Sequence, residues 1–345
     1  MDIGEIKKRL QEHFTDGLVA IVGSGLSMAS GLPGMEELAK HLIEMMEKIT
    51  QKEVQKAWAP IGSKLAKGVT LEEALKDIEI DNPVLEHIVC ISGRLLESRE
   101  RDVVNKVYSG ELNLPFTKLL PYLSLNSVRT YVITTNYDRL IEIAAEMGGF
   151  GVDTLFPGQY YGELNPDLSR ESLWTGKLAQ KGKSIKRVFR KHLVVLKPHG
   201  SLDWFLHKGR PIRCTISIDA PRLMITPGQS KYRMGYEQPF DRHRDIANRA
   251  IDSAARFLII GYGFNDDQLE THLTPEINKG KPCVILTKEL SNLTRKFIQG
   301  HTSIIAICRA EDGEKGTKLI YEGKEINFPG SRIWNLGDFI KEVLQ

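Results

Sequence analysis

The sequence predicts an α/β protein with a Rossmann-like, doubly wound and mainly parallel sheet. Several short runs of aliphatic and β-branched residues are continuously apolar, a pattern typical of strands covered on both faces. Amphipathic helical stretches separate these runs, and strands that alternate with helices build parallel sheets. The chain has 345 residues, 41% hydrophobic and 26% charged, so it is long enough to bury such a core.

Six runs are predicted strands. They are Leu18–Val22, Thr130–Thr134, Leu193–Leu196, Phe257–Ile260, Val284–Leu286 and Ser303–Ile307. Between them, Glu36–Lys48 has the apolar spacing of an amphipathic helix, and Asp241–Arg256 is a second helical stretch that leads directly into the fourth run. A short helix, Leu336–Leu344, is expected after the last strand.

The first two predicted strands are about 110 residues apart, far more than one crossover helix requires. The intervening sequence has no strong strand signal and contains helix starts, such as the capping box from Thr70 to Glu73 and the Asn82-Pro83 pair. We therefore predict a helical insertion over residues 37–125. Residues 1–36 and 126–345 are predicted to form the Rossmann-like domain together.

Charge and cysteine usage exclude several classes of protein. Lys and Arg exceed Asp and Glu by only three, so the whole chain is not a polycation. No C-x-x-C pair links the four cysteines, which excludes a zinc ribbon, and the histidines form no metal-binding pairs. The chain lacks a signal peptide and any apolar run of about 18 residues. We expect a cytoplasmic protein without a metal or membrane span.

The first predicted strand runs into Gly23, Ser24, Gly25 and Ser27, followed by a helix. Glycines at such a turn permit close backbone approach, and a helix start offers N–H donors to a phosphate. Met28 stands where the dinucleotide fingerprint of dehydrogenases has its third glycine, so hydride transfer is disfavoured. The alternative is a glycine turn with only a packing role.

Polar residues also follow three later strands. They are Thr135, Asn136 and Asp138 after the second, His199 after the third, and Gly261, Tyr262, Gly263 and Asn265 after the fourth. Each group alone is explained as well by a turn or a helix cap, and Asn265-Asp266-Asp267 fits a cap as well as a ligand loop. Because all lie at the carboxyl ends of predicted parallel strands, we expect them at one edge of the sheet.

In this order the motifs resemble those of the sirtuins. The run GSGLSMASGLP, which includes Pro33, resembles the sirtuin Gly-Ala-Gly-x-Ser and Gly-Ile-Pro signature. The stretch TTNYD at 134–138 resembles Thr-Gln-Asn-x-Asp, and KPHGS at 197–201 resembles the segment around the sirtuin histidine. Gly261-Tyr262-Gly263 takes the place of the adenosine-side loop. The resemblance spans residues 19–267 and implies binding of NAD.

The sequence departs from sirtuin deacylases at two points. It lacks the paired C-x-x-C motifs of their zinc module, and Gly34-Met35-Glu36 follows Pro33 where deacylases have Asp-Phe-Arg. This form is closer to the bacterial SIR2-like branch, whose members, as the resemblance implies, hydrolyse NAD in defence against bacteriophage. Stand-alone members are often encoded beside a HerA-type ATPase or an Argonaute-like protein. We therefore expect a homo-oligomer controlled by a partner, with the ATPase preferred.

For NAD hydrolysis we assign Asn136 to positioning of water and ribose, and His199 to the general base. The resemblance implies that Asp138 accepts from the nicotinamide amide. Ser24, Ser27 and the amides of the glycine loop are expected to hold the diphosphate. Two alternatives are a zinc-free NAD-dependent protein deacylase and a non-catalytic module that binds NAD or ADP-ribose.

The segment 177–192 contains seven Lys and Arg residues and no acid. We interpret it as a solvated loop and helix face rather than a docking surface for nucleic acid or an acidic partner, because few aromatic residues lie nearby.

Overall fold

A computed structural model describes residues 3–345 except 77, 80–81, 126, 182–183, 227, 229–236 and 312–314. In this part of the chain the strands are β1 (Leu18–Val22), β2 (Arg129–Thr134), β3 (Gly151–Asp153), β4 (Tyr161–Glu163), β5 (Trp174–Lys181), β6 (Ser184–Phe189), β7 (His192–Leu196), β8 (Gly200–His207), β9 (Arg210–Cys214), β10 (Arg222–Met224), β11 (Arg256–Ile260), β12 (Cys283–Leu286), β13 (Ile304–Arg309), β14 (Gly316–Tyr321) and β15 (Lys324–Pro329).

The helices of the described residues are α1 (Ile3–Glu12), α2 (Ser24–Ala29), α3 (Met35–Met46), α4 (Lys52–Ala66), α5 (Leu71–Ala74), α6 (Val84–Tyr108), α7 (Pro115–Leu123), α8 (Leu140–Met147), α9 (Pro166–Glu171), α10 (Phe240–Ser253), α11 (Asp267–Asn278), α12 (Asn292–Ile298) and α13 (Leu336–Phe339). A π-helical turn, Ile340–Leu344, continues α13, so the predicted C-terminal helix changes its winding midway.

The central sheet has the order β15-β14-β13-β12-β11-β1-β2-β7-β3. Its pairs from β13 to β3 are all parallel, and β14 and β15 continue it as antiparallel strands. The prediction of an α/β fold with a mainly parallel sheet is confirmed, and each of the six predicted strands lies within it. The β14–β15 hairpin was not predicted; we had expected no further strand after Ser303–Ile307.

The sheet is covered on both faces, as the continuous apolar runs predict. Along β1, Leu18, Ala20 and Val22 enter one core and Val19 and Ile21 the other. The first core packs against α1, α7 and α8, and the second against α10 and α11. Because both sides of β1 are buried, alternation of polar residues is impossible there, which explains the LVAIV sequence.

Helices α2 to α7 lie in the long connection between β1 and β2. Apolar side chains of α3, α4, α5 and the start of α6 form a separate core that includes Leu42, Trp58 and Ile88. The helix content of this stretch follows the sequence pattern. The division of the chain at residues 37 and 125 stays a prediction.

A smaller antiparallel sheet, β10-β8-β9-β4, was not predicted. The interpretation of segment 177–192 as a loop and helix face was wrong, because β5 and β6 form an antiparallel hairpin there. Leu178 and Ile185 of this hairpin are both more than half exposed, and Lys183 lies outside the described residues. The stretch has no regular alternation of apolar and polar residues, so its sequence contains no strand signal.

Acidic pH should lower the free energy of unfolding because of His13, whose side chain connects the end of α1 to β11. Its Nε2 lies 2.9 Å from the carbonyl oxygen of Phe257, and burial lowers the pKa of His13 to about 4. As the pH falls below about 6.5, the unfolded chain takes up a proton that the native chain does not, so stability is lost. Between pH 7 and 5 this costs about 2 kcal/mol. In urea titrations over this pH range, the free energy of unfolding of His13→Gln should fall by about 2 kcal/mol less than that of the wild type. An equal fall in the two proteins would contradict the prediction.

Candidate functional site

A cleft lies at the carboxyl ends of β11, β1, β2 and β7, which are neighbours in the sheet. It encloses about 160 Å³, and about 930 Å³ with its open mouth. The loops that follow these four strands carry the four motifs. In open parallel sheets, ligands bind at this edge, between loops that diverge from adjacent strands.

Most of the predicted site residues line this cleft. They are Ser24, Ser27, Pro33, Thr135, Asn136, Asp138, His199, Tyr262 and Asn265. Gly23, Gly25, Gly261 and Gly263 belong to the same loops but do not form its wall. The structure thus brings together side chains that are up to about 240 residues apart in sequence.

The glycines of the first loop leave room for the backbone of the loop that follows β11. A Cβ on Gly23 would lie 2.5 Å from the carbonyl oxygen of Gly261, and one on Gly25 would lie 2.7 Å from its Cα. The amide of Gly25 donates to the Gly261 carbonyl at 3.0 Å. Gly261 has a φ of +58°, a left-handed conformation that favours glycine. These three glycines therefore have a packing role, which the sequence had left as an alternative.

Asn136 is held by a chain of hydrogen bonds. Its Nδ2 donates to the carbonyl of Gly23 at 3.0 Å and to Oγ of Ser27 at 2.8 Å. The Ser27 hydroxyl then donates to Oδ2 of Asp138 at 2.7 Å, while Oδ1 of Asp138 accepts from the amide of Leu140, the first residue of α8, at 3.1 Å. Both amide protons of Asn136 are thereby engaged, and its Oδ1 is the atom left to accept a hydrogen bond in the cleft.

His199 faces a carboxylate that the sequence did not assign to it. Nε2 of His199 lies 2.7 Å from Oδ2 of Asp266, and the residues are 6% and 4% exposed. Oδ1 of Asp266 accepts from the amide of Leu269 at 3.0 Å and caps α11, so the cap interpretation of this loop is confirmed. The cap fixes the carboxylate beside the imidazole. The contact between residues 67 positions apart has no local sequence signal.

A buried lysine lies beneath the loop of Asn136. Lys197 is 1% exposed and follows β7 directly. Its Nζ contacts Oε1 of Glu142 at 2.8 Å and Oγ of Ser201 at 3.1 Å, and it donates to the backbone carbonyls of Tyr137 and Asp138. The signal that could have identified it is a lone cation immediately after the buried run LVVL.

The carboxylates of the cleft wall give it a negative charge. Glu72, Asp138 and Asp266 line it, and none of its described lining residues is Lys or Arg. Burial raises the pKa of Tyr137, and the charges of Asp266 and Glu72 raise it further, so its hydroxyl stays neutral and donates to the carbonyl of Ile225 at 2.5 Å. The negative charges of these three carboxylates favour a ligand that places a cationic group beside them.

Among the described residues, no group of three or more His, Cys, Asp or Glu side chains is placed to hold a metal ion. In the same part of the chain, no helix combines the length and apolarity needed to cross a bilayer.

Residues 130–297 match the family model of the SIR2-like domain. This is just under half of the chain; it contains Asn136, His199 and Asp266, while the glycine loop at 23–27 lies before it. No curated relative matches the chain.

The chain is similar in structure to a mutant Sir2 homologue in complex with 2′-O-acetyl-ADP-ribose, with 16% identity over 86% of this chain and 88% of that one, at a TM-score of 0.45. It is also similar to Sir2 in complex with the inhibitor EX-527, 2′-O-acetyl-ADP-ribose and a deacetylated peptide. That match has 11% identity over 86% of this chain and 91% of the other, at a TM-score of 0.40.

Proposed function

We propose that this chain is a SIR2-family enzyme that hydrolyses NAD to nicotinamide and ADP-ribose. The observation that carries the proposal is the placement of Asn136 and the His199–Asp266 pair in one cleft at the carboxyl edge of the sheet. The match of residues 130–297 to the SIR2-like domain supports it, because that segment contains all three residues.

The reaction breaks the bond between the ribose and the nicotinamide nitrogen, and the bonding electron pair leaves with nicotinamide. The ribose gains oxocarbenium character, and a water molecule adds to its anomeric carbon and loses a proton. The acidic wall with Glu72, Asp138 and Asp266 would favour both the cationic ring of NAD and this cationic transition state. The net products are nicotinamide, ADP-ribose and a proton.

Asn136 is fixed as a hydrogen-bond acceptor in this scheme. Because Gly23 and Ser27 take both protons of Nδ2, Oδ1 can accept from the attacking water or from a ribose hydroxyl. His199 would take up the proton that the water releases. The Asp266 carboxylate, 2.7 Å from Nε2, would stabilise the imidazolium that results.

The remaining predicted residues suit the rest of the substrate. We propose that exposed Ser24 and the start of α2 receive the diphosphate and that Tyr262 and Asn265 lie toward the adenosine side. Gly23, Gly25 and Gly261 then serve this site indirectly, by letting the two loops approach each other.

Ser27→Ala should lower NAD hydrolysis about 10- to 100-fold, because one proton of Nδ2 loses its acceptor and the amide of Asn136 can reorient. Ser30→Ala is the matched control at the residue that follows α2, since its hydroxyl donates only to the carbonyl of Leu26. Rates should be measured as nicotinamide released over time. Equal rates for the two variants would contradict the role given to Ser27.

The function itself is tested by incubating the purified protein with NAD and separating the products by chromatography. Release of nicotinamide and ADP-ribose without any peptide supports the proposal. Turnover that requires an acetyl-lysine peptide would instead identify a deacylase. Tight binding of ADP-ribose with no turnover, alone or with a partner, would identify a binding module and overturn the proposal.

We further propose that the enzyme is cytoplasmic, acts in antiphage defence as a homo-oligomer, and is controlled by a HerA-type ATPase, in line with the bacterial branch that its motifs resemble. Size-exclusion chromatography with light scattering, of the protein alone and mixed with the product of a neighbouring ATPase gene, tests this. A strict monomer whose NAD turnover ignores the ATPase would contradict it.

A further inference from the structure

The loops that carry Asn136 and His199 follow two adjacent strands, β2 and β7, and need a fixed separation to act on one substrate. The hydrogen bonds of Asn136 connect its loop to the glycine loop on the other side, and Asp266 connects His199 to α11. Neither interaction joins the two loops to each other. Lys197 does so, because it belongs to the His199 loop and its ammonium lies under the Asn136 loop.

We propose that Lys197 is the positioning residue that sets the distance between Asn136 and His199. Its Nζ donates to the backbone carbonyls of Tyr137 and Asp138, the two residues that follow Asn136. It also lies 3.1 Å from Oγ of Ser201, two residues after His199. This inference rests on the proposed function.

The ammonium has no direct route to the substrate. Lys197 is 1% exposed and is not among the residues that line the cleft. Glu142 on α8 balances its charge at 2.8 Å, which a buried cation requires. Three donors of an ammonium can therefore serve the carboxylate, the Ser201 hydroxyl and the loop carbonyls together. A residue with this environment acts on catalysis through the backbone and not on the reacting atoms.

The backbone around Ser201 reinforces the connection. The hydroxyl of Ser201 lies 3.3 Å from the carbonyl of Tyr137, and the amide of Leu202 donates to the same carbonyl at 2.9 Å. Gly200, with a φ of +95°, makes the tight turn that brings β8 back under this loop. The Lys197 ammonium thus completes a set of contacts that all converge on residues 137 and 138.

The main test is the double variant Lys197→Met/Glu142→Gln, which removes the cation and its partner together and leaves no buried unpaired charge. We expect kcat for NAD hydrolysis to fall about 10- to 100-fold while KM stays within about threefold, because the walls that bind substrate remain. The control is Asp203→Asn/Arg213→Met, in which buried Asp203 lies 2.8 Å from half-buried Arg213 outside the cleft wall. This variant should keep its kcat within about twofold of the wild type. A stable Lys197 double variant with wild-type kcat overturns the inference.

Two further variants separate positioning from charge balance. Glu142→Gln alone leaves the buried ammonium without its balancing charge, so its melting temperature should fall. The folded protein keeps the Nζ donors on the loop and should retain kcat within about threefold, whereas an equal loss of kcat in this variant and in the double variant would overturn the inference. Should the double variant not fold, Ser201→Ala removes only one contact of Nζ. It should lower kcat about three- to tenfold with KM unchanged, and an unchanged kcat would overturn the inference.

A readout independent of turnover is the side-chain amide of Asn136, observed by NMR and assigned by its absence in Asn136→Asp. In the wild type its protons donate to Gly23 and Ser27 and should exchange slowly with water. In the Lys197 double variant they should exchange at least tenfold faster, and in the Asp203 control they should not. If the wild type does not hydrolyse NAD, the proposed function fails while this measurement still decides the role of Lys197.

Discussion

Asn136→Ala and His199→Ala should each reduce nicotinamide release by about a thousandfold or more, the largest loss of activity that we expect from any side-chain change. Removal of a positioned hydrogen-bonding group or a general base from a buried site costs about 10²- to 10⁴-fold, or roughly 3–5 kcal/mol of barrier. Both residues are at most 7% exposed, so bulk water cannot easily replace either group.

Asn136→Asp tests the hydrogen-bond donors of this side chain more specifically than Asn136→Ala does. It keeps the size of the side chain but replaces two donors with an oxygen that would face the carbonyl of Gly23 at about the same distance. The like partial charges repel, so we expect a loss of activity close to that of Asn136→Ala together with a lower melting temperature. Matched controls are Asn327→Ala and His207→Ala, which change exposed residues on β15 and β8. Full turnover in Asn136→Ala or His199→Ala would contradict the mechanism.

Gly23→Ala should have the largest effect on stability. The added Cβ would lie 2.5 Å from the Gly261 carbonyl oxygen and 2.6 Å from Cα of Tyr262, and both are backbone atoms that cannot rotate away. The loops after β1 and β11 must then separate, at a cost of about 3 kcal/mol or more. We expect a melting temperature lower by about 4 °C or more and loss of ADP-ribose binding.

The matched control for this prediction is Gly263→Ala in the same pair of loops. A Cβ at Gly263 would meet its nearest atom, Oδ1 of Asn265, at 3.7 Å, which is ordinary contact. Its melting temperature should therefore stay close to that of the wild type in a thermal scan. A Gly23→Ala protein that melts with the wild type would show that the two loops do not meet as described.

The parallel sheet could be predicted because its strands are buried on both faces and therefore read as continuous apolar runs. The same criterion missed the smaller sheet, whose strands β4 and β10 are only three residues long and whose β9 mixes Arg210 and Arg213 with buried Ile212. It also missed the β5–β6 hairpin, since the high density of cations there suggested a solvated surface. Strand β8 was missed although its first six residues are buried, because Ser201 and Asp203 interrupt its apolar residues.

The candidate site could be predicted only as far as the positions of the strand ends could. Chain order and the carboxyl-edge rule place Asn136, His199 and the glycine loop together, but they say nothing about which side chains then touch. The contacts of Asp266 with His199, of Lys197 with the Asn136 loop, and of Gly23 with Gly261 all join residues that no local pattern relates. Each depends on packing between loops, which only the folded chain defines.

The order of the central sheet also has a consequence for biosynthesis. β1 lies in the middle of the site and pairs with β11, whose residues leave the ribosome more than 230 positions later. Asp266 follows later still, and the glycine loop reaches its packed form only against Gly261. A nascent chain therefore carries Asn136 and His199 long before it has a cleft in which they can act. If the chain hydrolyses NAD as proposed, this arrangement would prevent hydrolysis until the ribosome has translated the sequence through Asp266.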